Sequence, residues 1–263
     1  ILIFIPAFFG GVIFDKNKII QGILGFIAFS MVSSMIYIFN DLRDIENDRK
    51  HPTKKNRPLA SGRIKPIQGI GCIVLCMIIA CSITYIIKNL YAAFFLILYL
   101  IINILYSMGL KNKPIIDIVL LASGFVIRIF YGGAIMGISI SKWLYLVITT
   151  GSLYMGLGKR RNELKRQKET RDVLRYYNED FLDKNMYVCM ALTNVFYSLW
   201  TLDMPNPKIC WTIPFFIILL MCYSLNVEGD SDGDPVEVIL HDKILICIII
   251  AYAICIFTLL YLV

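Results

Sequence analysis

The chain has 263 residues, of which 58% are hydrophobic and 17% charged, and it carries a formal net charge of +7. So high an apolar fraction excludes an ordinary soluble domain and points to a polytopic, all-α membrane helix bundle, folded as a single domain over 1–263. Its surroundings are a lipid bilayer, and no nucleic-acid partner is expected.

In chain order, residues 1–14 are apolar but too short to span a bilayer. They read as the remnant of a helix whose start precedes Ile1, and no signal-peptide n-region is present. Apolar stretches of spanning length follow at roughly 19–39, 67–87, 91–109, 116–138, 142–157, 186–203, 208–227 and 243–263. With the truncated first helix the expectation is about nine transmembrane helices. Lys and Arg gather in 43–65, in 111–113, in 159–184 and at Lys243. All four segments fall on one side of the alternation, and the positive-inside rule makes that side cytoplasmic. The eight cysteines lie in or beside apolar spans and read as small buried hydrophobes, with neither zinc spacing nor a disulfide framework.

The first span runs directly into Asn40-Asp-Leu-Arg-Asp-Ile-Glu-Asn-Asp48. Asp41, Asp44 and Asp48 fall at i, i+3 and i+7, so a continuing helix places three carboxylates on one face at the membrane surface. They would raise one another's pKa unless a cation sat among them, and hard oxygens suit Mg²⁺ shared with a phosphorylated substrate. The alternative is a solvated, charged helix end. A basic loop, His51 to Lys65, follows; its prolines end the helix, and Lys54 and Arg57 could hold phosphate oxygens.

Further candidates lie on the same face. Tyr106 and Lys111 flank the end of the 91–109 span, and Asp117 stands just inside the next, where a carboxylate must be paired, metal-bound or wet. Tyr106 also suits an interfacial anchor. Arg128 lies midway along 116–138 and must face the bundle interior, either in an ion pair with Asp117 or another acid, or as an anchor for phosphate. Lys159, Arg160 and Arg161 adjoin a glycine-flanked helix end suited to phosphate. The charged segment from there to Lys184 reads largely as an amphipathic surface helix on anionic headgroups. The acidic, glycine-rich loop 228–237 could add a metal site or a ribose contact, or form only a turn; EF-hand spacing fails in it. His51 and His241 read as solvated loop residues.

These blocks resemble the UbiA superfamily of intramembrane prenyltransferases. Its first signature, Asn-Asp-x-x-Asp-x-x-x-Asp, is matched by Asn40, Asp41, Asp44 and Asp48, and the His-Pro-x-Lys-x-x-Arg-Pro-Leu-Ala-Ser-Gly loop matches as well. The family's second aspartate motif, Asp-x-x-x-Asp, is replaced by Lys159-Arg-Arg-Asn-Glu163. Within the superfamily the chain is similar to the decaprenyl-phosphate phosphoribosyltransferase branch, through Tyr106 to Lys111, Ser123 to Arg128, Gly158 to Leu164 and Gly233 to Asp242.

The resemblance implies transfer of 5-phosphoribosyl from phosphoribosyl diphosphate to a polyprenyl (decaprenyl) phosphate, with release of diphosphate. Asp41, Asp44 and Asp48, assisted by Asn40, would hold Mg²⁺ on the donor. Lys54, Arg57, Lys111 and Arg128 would pair with donor phosphates, and Lys159, Arg160 and Arg161 with the 5-phosphate or the lipid phosphate. Tyr106 and Asp117 complete the implied substrate-binding set. The enzyme would sit in the plasma membrane with its active site facing the cytoplasm, and a homo-oligomer is compatible with this reading. Two other readings stay open: prenyl transfer from a prenyl diphosphate to a small aromatic acceptor, and a non-catalytic membrane carrier.

Overall fold

In a computed structural model of the protein, residues 2–50, 54–166, 172–229 and 235–262 are described. Their regular structure is entirely helical, with no strand among them. Helices satisfy every backbone donor and acceptor within the segment, which lipid requires because it offers no partner. The chain divides into two compact units, Ile1–Met108 with Ile127–Ser139 and Gly109–Val126 with Ile140–Val263.

The first unit holds α1 (Ile5–Phe9), α2 (Lys16–Arg43), α3 (Ile45–Lys50), α4 (Pro66–Ile87), α5 (Leu90–Ser107) and the second half of α6 (Ile116–Met136). Local signals set the helix starts. The Asp15 carboxylate accepts the Asn17 and Lys18 N–H groups at 3.0 and 3.2 Å, capping α2. Proline opens α4, where its missing N–H is harmless. Asn89 Oδ1 accepts the Ala92 N–H at 3.0 Å to start α5.

Close contact at glycines of α2 and α6 packs the first unit. A Cβ at Gly25 would lie 2.3 Å from Ile135 Cδ1, and one at Gly132 would lie 2.1 Å from the Ile3 carbonyl oxygen. In lipid, helices associate through such van der Waals contact at small residues rather than by leaving water. Phe29 fills the centre, its ring centroid 4.4 Å from that of Tyr99 and 5.2 Å from that of Tyr131. The Tyr131 hydroxyl donates to the Gly25 carbonyl at 3.1 Å, so the buried phenol has a partner.

The second unit holds the first half of α6 with α7 (Lys142–Arg166), α8 (Glu179–Leu202), α9 (Ile213–Glu228), α10 (Pro235–His241) and α11 (Lys243–Tyr261). Helices α7 and α8 pack closely, and Thr193 Oγ1 donates to Thr150 Oγ1 at 2.9 Å between them. Tyr197 bonds Thr212 at 2.6 Å and receives the Tyr252 hydroxyl at 2.8 Å, tying α8 to α11. Val173, Leu174, Leu182, Met186 and Leu245 are sealed from solvent in its core.

Six helical segments among the described residues are long and apolar enough to cross a membrane: Lys16–Arg43, Pro66–Ile87, Leu90–Ser107, Ile116–Met136, Pro207–Glu228 and Lys243–Tyr261. The spans expected at 142–157 and 186–203 instead form parts of α7 and α8. These helices have 25 and 24 residues, long enough to cross, but their charged and polar residues leave them less apolar than those six. The cysteines differ from expectation too. All eight are free, but Cys72, Cys81, Cys247 and Cys255 are exposed on helix surfaces and the other four are half-buried. Lipid is as apolar as a core, so a thiol needs no protein cover there.

Candidate active site

The acidic face forms because α2 does not truly stop at Arg43. The Asp44 N–H reaches the Asn40 carbonyl at 2.9 Å and the Asp48 N–H reaches that of Asp44 at 2.8 Å, so helical hydrogen bonding carries into α3. Asp41 and Asp48 thereby fall on one side. Their carboxylates converge on a single atom, with Arg57 Nη1 donating to Asp41 Oδ1 at 2.8 Å and to Asp48 Oδ2 at 2.9 Å. Asp48 is only 4% exposed, whereas Asp41 and Asp44 are half-buried.

The loop bearing Arg57 is anchored beside it. Leu59 and Ala60 are buried, and Arg49 Nε donates to the Ala60 carbonyl at 3.2 Å. The end of α5 clamps the other side, as Ser107 Oγ donates to Asn40 Oδ1 at 2.6 Å and Arg43 donates to the Ser107 carbonyl. Lys54 is exposed and Tyr106 half-buried. His51 lies outside the described residues.

Among the described residues no group of three or more His, Cys, Asp and Glu is gathered tightly enough to hold a metal ion. The three-carboxylate cluster expected from the spacing is thus represented by two carboxylates closed on a guanidinium. The donor set still fits a hard divalent cation. Two carboxylate oxygens already meet at one positive nitrogen, and the Asp44 charge acts on the same site.

Arg128 is supported within the first unit. Its Nη2 donates to the Tyr99 hydroxyl at 2.8 Å, and its guanidinium carbon lies 5.2 and 5.0 Å from the ring centres of Phe29 and Tyr99. Aromatic faces stabilise a cation where a lipid environment would not.

In the second unit Asp117, one of the partners considered for Arg128, engages a different cation. Arg160 Nε donates to Asp117 Oδ2 at 2.5 Å, and the two side chains are 1% and 0% exposed. Arg160 Nη1 also reaches Glu163 Oε2 at 2.6 Å. The Tyr177 hydroxyl donates to Asp117 Oδ1 at 2.6 Å, which satisfies the second carboxylate oxygen. Burial, and then this bond to a carboxylate, hold the Tyr177 hydroxyl protonated well above the usual phenol range. Asp117 and Arg160, candidates for substrate contact, thus engage one another out of water.

Arg161 Nε donates to the Asp183 carboxylate, while its Nη1 is buried with no hydrogen-bond partner among the described residues. Lys159 and Lys111 are half-buried, the latter in the short turn Leu110–Asn112. The surface helix expected between Lys159 and Lys184 is not what the described residues form. Instead, α7 continues to Arg166, and Asp172–Tyr176 is a short 3-10 turn that buries Val173 and Leu174. The acidic loop 228–237 falls partly outside the described residues, so its expected metal or ribose contact does as well.

Four contributors were not singled out in the sequence. Tyr99, Ser107, Tyr177 and Asp183 each engage a candidate residue. Only Ser107 carried a signal, through its place beside Tyr106.

Comparison with known proteins follows the same line. Residues 3–162 match the UbiA prenyltransferase family. The decaprenyl-phosphate phosphoribosyltransferase of Corynebacterium glutamicum is 33% identical over 256 residues, covering 93% of this chain and 77% of that protein. That of Mycobacterium tuberculosis is 31% identical over 258 residues, covering 94% and 84%. Among solved structures, a UbiA homolog from Archaeoglobus fulgidus bound to GPP and Mg²⁺ superposes with a TM-score of 0.70 at 18% identity, over 90% of this chain and 88% of that one.

Proposed function

We propose, from the premise that this chain belongs to the UbiA prenyltransferase family and is therefore an enzyme, that it transfers 5-phosphoribosyl from phosphoribosyl diphosphate to a polyprenyl phosphate. The observation that carries the reading is the convergence of Asp41 and Asp48 on one cation at 2.8 and 2.9 Å, at the end of a membrane-length helix. Relatives named for decaprenyl phosphate as acceptor, similar along nearly the whole chain, favour phosphoribosyl over prenyl transfer. So does the basic Lys159-Arg-Arg where prenyl-transferring members carry an aspartate.

Asp41, Asp44 and Asp48 would hold Mg²⁺, which supplies neutralisation of the diphosphate as it leaves the anomeric carbon. Asn40 keeps the acidic face aligned through its bond to Ser107. Arg57 and Lys54 pair with diphosphate oxygens, Arg57 through its planar fork. Arg128, half-buried on aromatic faces, is a further cation of the same unit. In the second unit Lys111, Lys159 and Arg161 take phosphate, and Asp117 with Arg160 stiffens the scaffold that presents them. The nucleophile is an oxygen of the lipid phosphate, already largely ionised at neutral pH, so no strong general base is needed and positioning dominates. The acidic face is read as lying on the cytoplasmic side of the plasma membrane, where the Lys and Arg loops gather.

The test is direct. Purified protein with Mg²⁺, phosphoribosyl diphosphate labelled in the ribose and a polyprenyl phosphate should yield a labelled lipid and free diphosphate. A label that stays wholly water-soluble, together with prenylation of an aromatic acid from a prenyl diphosphate, would overturn the reading.

A further inference from the structure

Arg57 stands among the acids as their own cation. Its Nη1 bridges Asp41 and Asp48, so the two carboxylate oxygens lie no further apart than the sum of 2.8 and 2.9 Å, and without a cation between them they would repel. The burial is uneven. The Asp48 side chain is 6% exposed and that of Arg57 41%. Asp48 is therefore fixed, whereas the guanidinium borders solvent and can leave without crossing the protein interior. Its backbone need not follow, because Leu59 and Ala60 anchor the loop two and three residues on.

We infer that Arg57 and a divalent cation compete for the same two carboxylates, so that the cation is taken up together with a diphosphate that receives the displaced guanidinium. The inference rests on the reading that the acidic face binds a metal diphosphate. A divalent cation arriving alone must leave Arg57 without its two partners. A diphosphate arriving with it offers Arg57 acceptor oxygens that match its fork. Binding of the two is then mutually reinforcing, and the coupling acts equally in both directions. Arg57 sets the order of assembly and guards the acidic face against occupation by metal alone. A permanently structural Arg57 makes the opposite forecast, because removing it would loosen the acids and weaken the metal site.

The experiment measures Mn²⁺ binding to the purified full chain by electron paramagnetic resonance, with and without inorganic diphosphate. Arg57→Gln should bind Mn²⁺ alone about tenfold more tightly than the unmodified protein, the scale of one lost charge-assisted competitor. In the same variant, diphosphate should enhance Mn²⁺ retention about tenfold less, because the displaced partner is gone. Arg57→Lys keeps the charge without the fork and should fall between the two, and thermal unfolding of each variant monitors folding. Unchanged or weaker Mn²⁺ binding in both variants overturns the competition. Tighter Mn²⁺ binding with an undiminished diphosphate effect overturns the coupled uptake. Neither arm uses phosphoribosyl diphosphate or lipid, so the two ideas fail separately. Labelled lipid made by a protein whose Mn²⁺ affinity ignores Arg57 sinks the competition alone, and competition without labelled lipid sinks phosphoribosyl transfer alone.

Discussion

The Tyr177 hydroxyl accepts the backbone N–H of Ile115 at 2.6 Å, and Ile115 holds φ at +68°. A β-branched residue in the left-handed region is strained, and here the strain is held by a phenol that simultaneously donates to Asp117. The turn carrying Lys111 is thereby fastened to the second unit's core just before α6 begins. Tyr177→Phe keeps the ring stacked on Phe181 but leaves a buried carboxylate oxygen and a backbone N–H short of a partner. It should lower stability by about 1–3 kcal/mol, read as a fall in the thermal unfolding midpoint in detergent. Ile115→Asn should do the reverse, gaining about 1 kcal/mol, since asparagine tolerates the left-handed region and Ile115 is largely exposed.

The Arg160–Asp117 pair gives a second expectation. With both side chains out of water, removing one partner strands the other. Arg160→Met and Asp117→Asn should each cost about 3–5 kcal/mol, and the double variant markedly less than their sum. Unfolding midpoints of the four proteins in one detergent provide the cycle. Simple additivity would mean that the two groups do not interact.

How much of this was legible in the sequence differs by kind of signal. The acidic face was readable because its spacing is local: Asp41, Asp44 and Asp48 lie within two turns of one helix, and Arg57 follows in the adjoining loop. The partner of Asp117 was not, because Arg160 lies 43 residues away and nothing local prefers it to Arg128. Arg128 in turn meets aromatic faces, and Phe29 and Tyr99 look like ordinary span residues in the sequence. The segment after Lys159 was misread because its charges outweighed Val173, Leu174 and Tyr177, an apolar trio too short to set a period.

Asp44 separates catalysis from carriage. It takes no part in the two Arg57 ion pairs, so Asp44→Asn removes a charge from the acidic face and leaves that clamp intact. Transfer of label to lipid should fall by about 10²–10³ with little change in the unfolding midpoint. Chelation of divalent cations should abolish transfer in the unmodified protein, and added Mg²⁺ should restore it. A carrier using the same charged mouth would keep transporting with Asp44→Asn.

Asp242 should make the start of α11 sensitive to acid. Its carboxylate accepts Asn226 Nδ2 at 2.5 Å and the N–H groups of Ile244 and Leu245 at 2.8 and 3.3 Å. These bonds, the Asn226 contact first, hold its pKa below the usual carboxylate value. A carboxyl depressed in the folded state adds stability that is complete above the unfolded value of about 3.9 and is lost as pH falls through the folded value. Asparagine can cap the helix but neither ionises nor accepts as strongly from Asn226. The unfolding midpoint of Asp242→Asn should therefore lie below that of the unmodified protein at pH 7, and the gap should narrow below about pH 4. A gap that stays constant across that window would mean that the Asp242 charge adds nothing to the α9–α11 junction.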